Sequence, residues 1–382
     1  MRVPFRKHVF LGVVVILPSI IYLVISQRQP AETVPGRKWF EDKYNHQMKE
    51  LDAETYQKLV QDGDRVPFEP LLDPMLIPRV PGTANHARVK QFIKDHMRGL
   101  GWTIETDAFQ DNTPHGAKPF ENIITTLNPD TPRRLVLACH YDSKYSNDDS
   151  FIGATDSAVP CAMLLHMAST MQSMLTEHKN SAHNVTLQFI FFDGEEAFQY
   201  WTSTDSIYGS RHWGRNDNDM LVLLDLLGTP NPKLYSFFQE TSHWHNSLVQ
   251  TEQQLKRSQF WSGSTRQTIF QAKNHYGGIE DDHIPFLQRG VDILHVIPSP
   301  FPTVWHKTSD NREALDFPTI SNLNKVFRLF VARYLEGFNG GNALPIITST
   351  SNAVGQAAKP GIMQHFLNFF LNALDGARLP IM

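Results

Sequence analysis

Four short runs of the sequence, 134–139, 185–192, 220–226 and 292–297, are apolar at most positions instead of at every second one. A strand with one wet face alternates, so a run that is apolar on both faces belongs to a sheet covered on both sides. Helical periodicity fills the gaps. The spacing predicts helices over about 158–175, 239–256 and 318–335, and an earlier one ending near residue 98. Gly82-Thr83 caps that earlier helix, Val89, Phe92, Ile93 and Met97 share one of its faces, and Gly99 or Gly101 stops it. A further β run is expected at 122–127. Strands alternating with helices and showing no internal repeat indicate an α/β fold: one domain built on a mixed, largely parallel central sheet flanked by helices.

The N-terminus adds a second constraint. Residues 9–26, VFLGVVVILPSIIYLVIS, carry no charge, and eighteen helical residues at about 1.5 Å each span roughly 27 Å, close to the hydrocarbon thickness of a bilayer. The stretch is longer than a signal-peptide core and lacks a small-x-small cleavage site near Ser26, so it is expected to stay as an anchor. Arg2, Arg6 and Lys7 precede it, while Arg28 beyond it is soon followed by Glu32, Glu41 and Asp42. The positive-inside rule then leaves residues 1–7 cytosolic, 8–26 in the membrane, a polar stalk over 27–48, and everything beyond in a lumen or outside.

Composition excludes some functions. Lys+Arg at 35 against Asp+Glu at 39 leaves a net charge of −4, without the basic excess of a nucleic-acid module. With 41% hydrophobic and 19% charged residues the chain supplies a large core. Its two cysteines, Cys139 and Cys161, are too few for a disulfide scaffold and permit one bridge.

In a sheet of this kind chemistry collects beyond the carboxyl ends of the strands, and each core strand delivers a carboxylate or imidazole there. His140-Tyr141-Asp142 follows the first, with Asp156 soon after; Asp193-Gly194-Glu195-Glu196 follows the second; Asp225 ends the third; Trp305-His306 follows the fourth. A catalytic zinc takes three His, Asp or Glu ligands and keeps one position open, a count that Asp156, Glu196 and His306 satisfy. Successive side chains diverge at a strand end, so one of Glu195 and Glu196 can bind metal while the other stands free as a proton shuttle. Taken singly, Gly-Glu-Glu reads as a solvated turn, and Asp156 or Asp281-Asp282-His283 as helix caps; their common order argues for a site.

That order resembles the zinc-dependent aminopeptidase clan of α/β metallohydrolases. Local strings are similar to one branch of it, the animal glutaminyl-peptide cyclotransferases: LACHYDSK at 137–144, GATDSAVPCAM at 153–163, FDGEEAF at 192–198, LLDLLGTPNP at 223–232, DDHIPFLQRG at 281–290 and IPSPFPTVWH at 297–306. The resemblance covers about residues 50–338. It implies a single Zn2+ per chain on Asp156, Glu196 and His306, with Glu195 as general base and acid. It further implies assisting carboxylates at Asp225 and Asp281, an aromatic pocket of Trp201, Phe301 and Trp305, and a Cys139–Cys161 disulfide. The implied activity is cyclisation of N-terminal Gln, and more slowly Glu, of peptides and proteins to pyroglutamate. With the anchor, the chain resembles the Golgi-resident, single-pass type II form, its catalytic domain (49–338) lumenal and monomeric.

Two other readings stay open at this point. A two-zinc aminopeptidase of the same fold would use His140, Asp156, Glu196, Asp225 and His306, all present; a non-catalytic membrane-tethered binding domain would have no need of Glu195. The extension 339–382 has no implied role, although Met363, Phe366, Leu367, Phe370 and Leu374 recur at helical spacing. Asn184-Val185-Thr186 is a glycosylation sequon abutting a strand.

Overall fold

Alternation within the strands decides where the layers lie. In the computed structural model, which describes residues 43–339 apart from 64, 148–149, 215–217, 265 and 276, Leu135, Leu137 and Cys139 enter one apolar core while Val136 and Ala138 enter another. The neighbouring strand repeats this, with Leu187, Phe189 and Phe191 on the first side and Ile190 and Phe192 on the second. The sheet between the cores is therefore covered on both faces, as continuous apolar runs require. Truncating one of these fully buried phenylalanines to alanine is worth roughly 3–5 kcal/mol.

Residues 43–45 form one turn of 3-10 helix and are the described part of a small N-terminal unit. A second, larger unit begins at His46. In chain order it carries β1 (His46–Gln47), α1 (Ala53–Asp62), α2 (Glu69–Leu72), α3 (Ala84–Gly99), β2 (Thr103–Thr113), β3 (Gly116–Thr126) and β4 (Arg133–His140). Next come α4 (Val159–Thr170), α5 (Gln172–Asn180), β5 (Val185–Phe192), α6 (Tyr208–Trp213), β6 (Met220–Leu224) and β7 (Leu234–Ser236). Its described part ends with α7 (Ser242–Arg257), β8 (Phe270–Asn274), α8 (Ile284–Leu287), β9 (Asp292–Val296), α9 (Phe317–Leu335) and β10 (Phe338–Asn339). The main sheet has the order β2-β3-β5-β4-β6-β9. Strands β5, β4, β6 and β9 are parallel and the β2–β3 hairpin is antiparallel.

The chain leaves β4 for β5 on one side and returns to β6 on the other, so the strand order reverses around β4. That is where a crevice opens at the carboxyl ends of parallel strands. Helix α9, buried along nearly its whole length, closes the larger core; Asp316 starts it by accepting the Thr319 amide at 2.9 Å.

Several boundaries differ from expectation. The helix expected over 158–175 is two helices meeting at Met171. The Ser169 hydroxyl donates to the Leu165 carbonyl at 3.0 Å and Thr170 to His166 at 2.8 Å, competition of the kind that bends a helix. β3 starts six residues before 122, and its partner β2 was not expected, because β2 exposes much of its length and carries no apolar run. β6 stops at Leu224, and α7 begins at Ser242. The earlier helix starts as expected: Thr83 accepts from the His86 amide. The expected anchor, most of the stalk and the extension beyond residue 339 lie outside the described residues. Among the described residues no helix is long and apolar enough to cross a membrane.

Candidate active site

The loop after β5 must turn sharply to present two successive glutamates. Gly194 makes the turn at φ 72°, where an added Cβ would lie 2.4 Å from the Phe120 ring. Asp142, two residues past β4, then fixes it: one carboxylate oxygen accepts the Glu195 amide at 3.1 Å and the other the Glu196 amide at 3.2 Å. The backbone of both glutamates is thereby held. Both are buried.

Asp156 comes from the segment between β4 and α4. It is no helix cap, since α4 has no side-chain cap bond. Arg79, fully buried, donates to the carbonyls of Tyr141 (2.8 Å), Gly153 (3.0 Å) and Asp156 itself (3.3 Å), as well as to that of Ile152. From the other side Asp310 accepts from the Thr155 amide at 2.9 Å and its hydroxyl at 3.0 Å, tying the Asp156 loop to the loop that bears His306.

These supports bring three ligand types together. His306 Nε2 lies 3.5 Å from Asp156 Oδ2 and 3.4 Å from Glu196 Oε2. Such separations match donors sharing one tetrahedral zinc, whose ligand atoms sit about 3.3 Å apart for bonds of about 2.0 Å. Asp156 Oδ2 and Glu196 Oε1 are buried without a hydrogen-bond partner. Lys144 adds a cation 3.3 Å from Glu196 Oε2. Burial, and then the Glu196 charge, push the Asp156 carboxyl up to about 7. Crowded, partly orphaned carboxylates beside an imidazole fit a divalent cation.

Behind this trio, His140 Nε2 lies 3.1 Å from Asp156 Oδ1 and 3.4 Å from Asp225 Oδ1, and its Nδ1 lies 3.3 Å from Asp142. Burial alone would lower the His140 pKa, but the carboxylates of Asp142, Asp156 and Asp225 hold it well above the usual imidazole value. Asp225 is occupied further by the Ser157 hydroxyl and by the Leu226 amide at 2.8 Å.

Glu195 does not belong to the trio. Burial raises its pKa well above the carboxylate range, Glu196, Asp281 and Asp282 raise it further, and His140 opposes them. Asp281 is no cap for α8 either: its carboxylate takes the Asp282 amide at 2.6 Å and His295 Nε2 at 2.7 Å. Trp305 stacks on His306 with centroids 4.1 Å apart, and Phe301 meets Trp305 edge-on at 4.8 Å. Trp201, 39% exposed, donates its Nε1–H to Glu280 at 2.8 Å, next to Asp281. The two cysteines have sulfurs 2.6 Å apart, buried beside His140.

A model of peptidase family M28 matches residues 122–331, which take in every one of these ligands and carboxylates. A glutaminyl-peptide cyclotransferase of Drosophila melanogaster is 45% identical over 311 residues, covering 77% of this chain and 87% of the relative. The chain belongs to the M28 family, among its glutaminyl-peptide cyclotransferases. A cyclotransferase of Bos taurus is 43% identical over 325 residues, covering 78% of this chain and 90% of its own. The crystal structure of Macrostomum lignano glutaminyl cyclase superposes with a TM-score of 0.70 at 37% identity, over 76% of this chain and 95% of that one.

Membership leaves some of the machinery unaccounted for by sequence patterns. Arg79 lies outside the matched span and has no local signature, and Glu280 and His295 differ from ordinary surface and strand residues only in what they touch. Asp142 and Lys144 stand in the string LACHYDSK but carry no signal of their roles as loop clamp and neighbouring cation.

Proposed function

We propose that the chain is a glutaminyl-peptide cyclotransferase that closes the N-terminal glutamine of peptides and proteins, and more slowly glutamate, into pyroglutamate. The α-nitrogen bonds to the side-chain carbonyl carbon, the bond to the amide nitrogen breaks, and ammonia leaves; with glutamate, water leaves. The observation that carries this reading is that Glu195 is buried yet lies outside the Asp156–Glu196–His306 trio.

Asp156, Glu196 and His306 would hold a single zinc. A zinc there supplies a Lewis acid for the side-chain carbonyl. Glu195 takes a proton from the attacking amine and returns it to the departing nitrogen, which calls for a carboxylate with a raised pKa. Asp281, pinned by His295 and the Asp282 amide, and Asp225, pinned by Ser157 and the Leu226 amide, orient the proton network. Trp201, Phe301 and Trp305 fold the glutamine side chain toward its own amine, and because nucleophile and electrophile are already tethered, orientation contributes much of the acceleration.

A second reading has one observation in its favour: His140, Asp156 and Asp225 also form a buried group whose ligand atoms lie within 4.8 Å of one another, as a two-metal aminopeptidase needs. Incubation with a Gln-initiated and a Leu-initiated peptide separates the two. The cyclase releases ammonia from the first and no leucine from the second; free leucine overturns the proposal, and neither product leaves a binding domain. We further propose that residues 8–26 anchor the protein with its catalytic domain in the lumen of the Golgi or another secretory compartment. Protease added to sealed microsomes then spares that domain, and digestion reverses the topology.

A further inference from the structure

At the opposite end of the sheet a second group of ligand-type side chains meets. His178 lies in the last turn of α5, His183 in the short link to β5, and Glu336 directly after α9. β5 places seven rises of about 3.3 Å, roughly 23 Å, between this corner and the catalytic loop, so the two clusters share no residue.

The tautomer of His178 is determined by its surroundings. Its Nε2 lies 2.8 Å from the Val185 carbonyl, which can only accept, so Nε2 carries the proton and Nδ1 keeps a lone pair. That Nδ1 is buried and has no hydrogen-bond partner. It faces Glu336 Oε1 at 3.7 Å, too far for a hydrogen bond. His183 Nε2 approaches the same oxygen at 4.0 Å, and all three ligand atoms lie within 4.8 Å of one another. Metal-ligating histidines commonly donate their other N–H to a backbone carbonyl, which is the arrangement His178 has.

We propose that His178 Nδ1, His183 Nε2 and Glu336 form a second, non-catalytic site for a borderline divalent cation, zinc above all, that staples the α5–β5 link to the end of α9. Two imidazoles with one carboxylate suit Zn2+ and its neighbours in the first transition row better than Mg2+ or Ca2+, which prefer oxygen. To reach the roughly 3.3 Å of a tetrahedral zinc, the separations of 3.7 and 4.0 Å close by about 0.4 and 0.7 Å. His183 stacks on His178 with centroids 4.1 Å apart and must turn out of that stack to bind; its side chain is 31% exposed, so it has room to do so. Burial chiefly, and the nearby His183, keep the His178 pKa below its usual value, so the ring is neutral and ready to bind at pH 7. The charged neighbour facing the group is Lys49, 3.7 Å from the other Glu336 oxygen and itself 56% exposed, able to swing away. Solvent can supply the fourth ligand, since Glu336 is partly exposed.

A zinc count of two per chain would then not signify an aminopeptidase, and the test has to separate the ions. The full chain, stripped of metal, is titrated with Zn2+ against a chromophoric chelator. Wild type takes up two equivalents; His183→Ala and Glu336→Gln each keep one, with cyclisation of a Gln-initiated peptide unchanged and affinity for the remote ion weakened more than about 100-fold. His306→Ala, deprived of the catalytic ion, still binds one and gains thermal stability on adding Zn2+, a gain that His183→Ala in the same chain abolishes. These surface variants avoid the buried His178, whose removal would leave a cavity. One equivalent in wild type, or a second that survives both His183→Ala and Glu336→Gln, overturns the proposal.

Discussion

Asp142 holds the Glu195 amide at 3.1 Å through the same oxygen that lies 3.3 Å from His140 Nδ1. One fully buried carboxylate thus couples the end of β4 to the loop after β5, and with it the orientation of a metal-type ligand to that of the proposed proton shuttle.

Asp142→Asn is expected to lower kcat/KM about 10–100-fold, the usual range for residues that orient ligands. An amide keeps the shape but turns a donor toward one of two backbone donors. Zinc affinity falls with activity, while the melting temperature moves little. Unchanged kcat/KM and unchanged zinc affinity would show that the loop holds its form without the clamp.

Cys139 and Cys161 are expected to be bridged in the native protein, which the proposed lumenal placing would favour. They lie 22 positions apart, and closing a loop of that size contributes roughly 3 kcal/mol by chain entropy. Alkylation after unfolding without reductant should add nothing to the mass, and replacing both by alanine should lower the melting temperature and leave cyclisation nearly intact. Two adducts on the unreduced protein would exclude the bridge.

Acid should loosen the corner where β1 docks. His46 is buried, its ring 4.2 Å from Tyr334 and its Nε2 2.9 Å from the Tyr334 carbonyl. Burial first, and then the Arg133 charge, lower its pKa from 6.5 to about 4. The unfolded chain therefore takes up this proton before the folded one, so the stabilisation is complete above about pH 6.5 and is lost as pH falls toward 4. Between pH 7.5 and 5.5 the loss is about 1 kcal/mol. Denaturant unfolding of wild type and His46→Gln at both values checks this: the variant should lack that part of the pH dependence, and equal slopes would remove His46 from the account.

Legibility in the sequence depends on where each signal resides. Strands β4, β5, β6 and β9 are buried on both faces, so their apolar runs show without any partner. β2 could not be read, because as an exposed edge strand it owes its structure to pairing with β3. Asp156, Glu196 and His306 stand out as the right residue types at strand ends, and the distances bring them together. Asp310 lies only four residues past His306, yet its hold on Thr155 is a relation between loops 155 positions apart. Arg79 likewise works on carbonyls more than sixty positions away. Supports of this kind leave no local pattern. The sulfurs of Cys139 and Cys161 come within 2.6 Å because β4 and α4 pack together, although both are free thiols in the structure; the bridge itself remains what the resemblance implies.

Glu195 and Glu196 are adjacent in the chain and both buried, yet they should fail in different ways. Glu196 sits 3.4 Å from His306 Nε2 and has an orphaned second oxygen, whereas Glu195 is outside the Asp156–Glu196–His306 group and burial holds its pKa well above the carboxylate range. Glu195→Gln keeps the size and shape of the side chain and removes its capacity to carry a proton, so pyroglutamate formation should fall by about 100-fold or more while zinc at the trio is retained. His306→Ala deletes a ligand, so activity and the catalytic zinc are lost together. Metal content measured beside kcat for both variants decides the assignment. If Glu195→Gln lost its zinc, Glu195 would belong to the metal and not to the proton; if it kept near-full activity, the shuttle would have to be sought among Asp281, bonded to His295, and Asp225, bonded to Ser157.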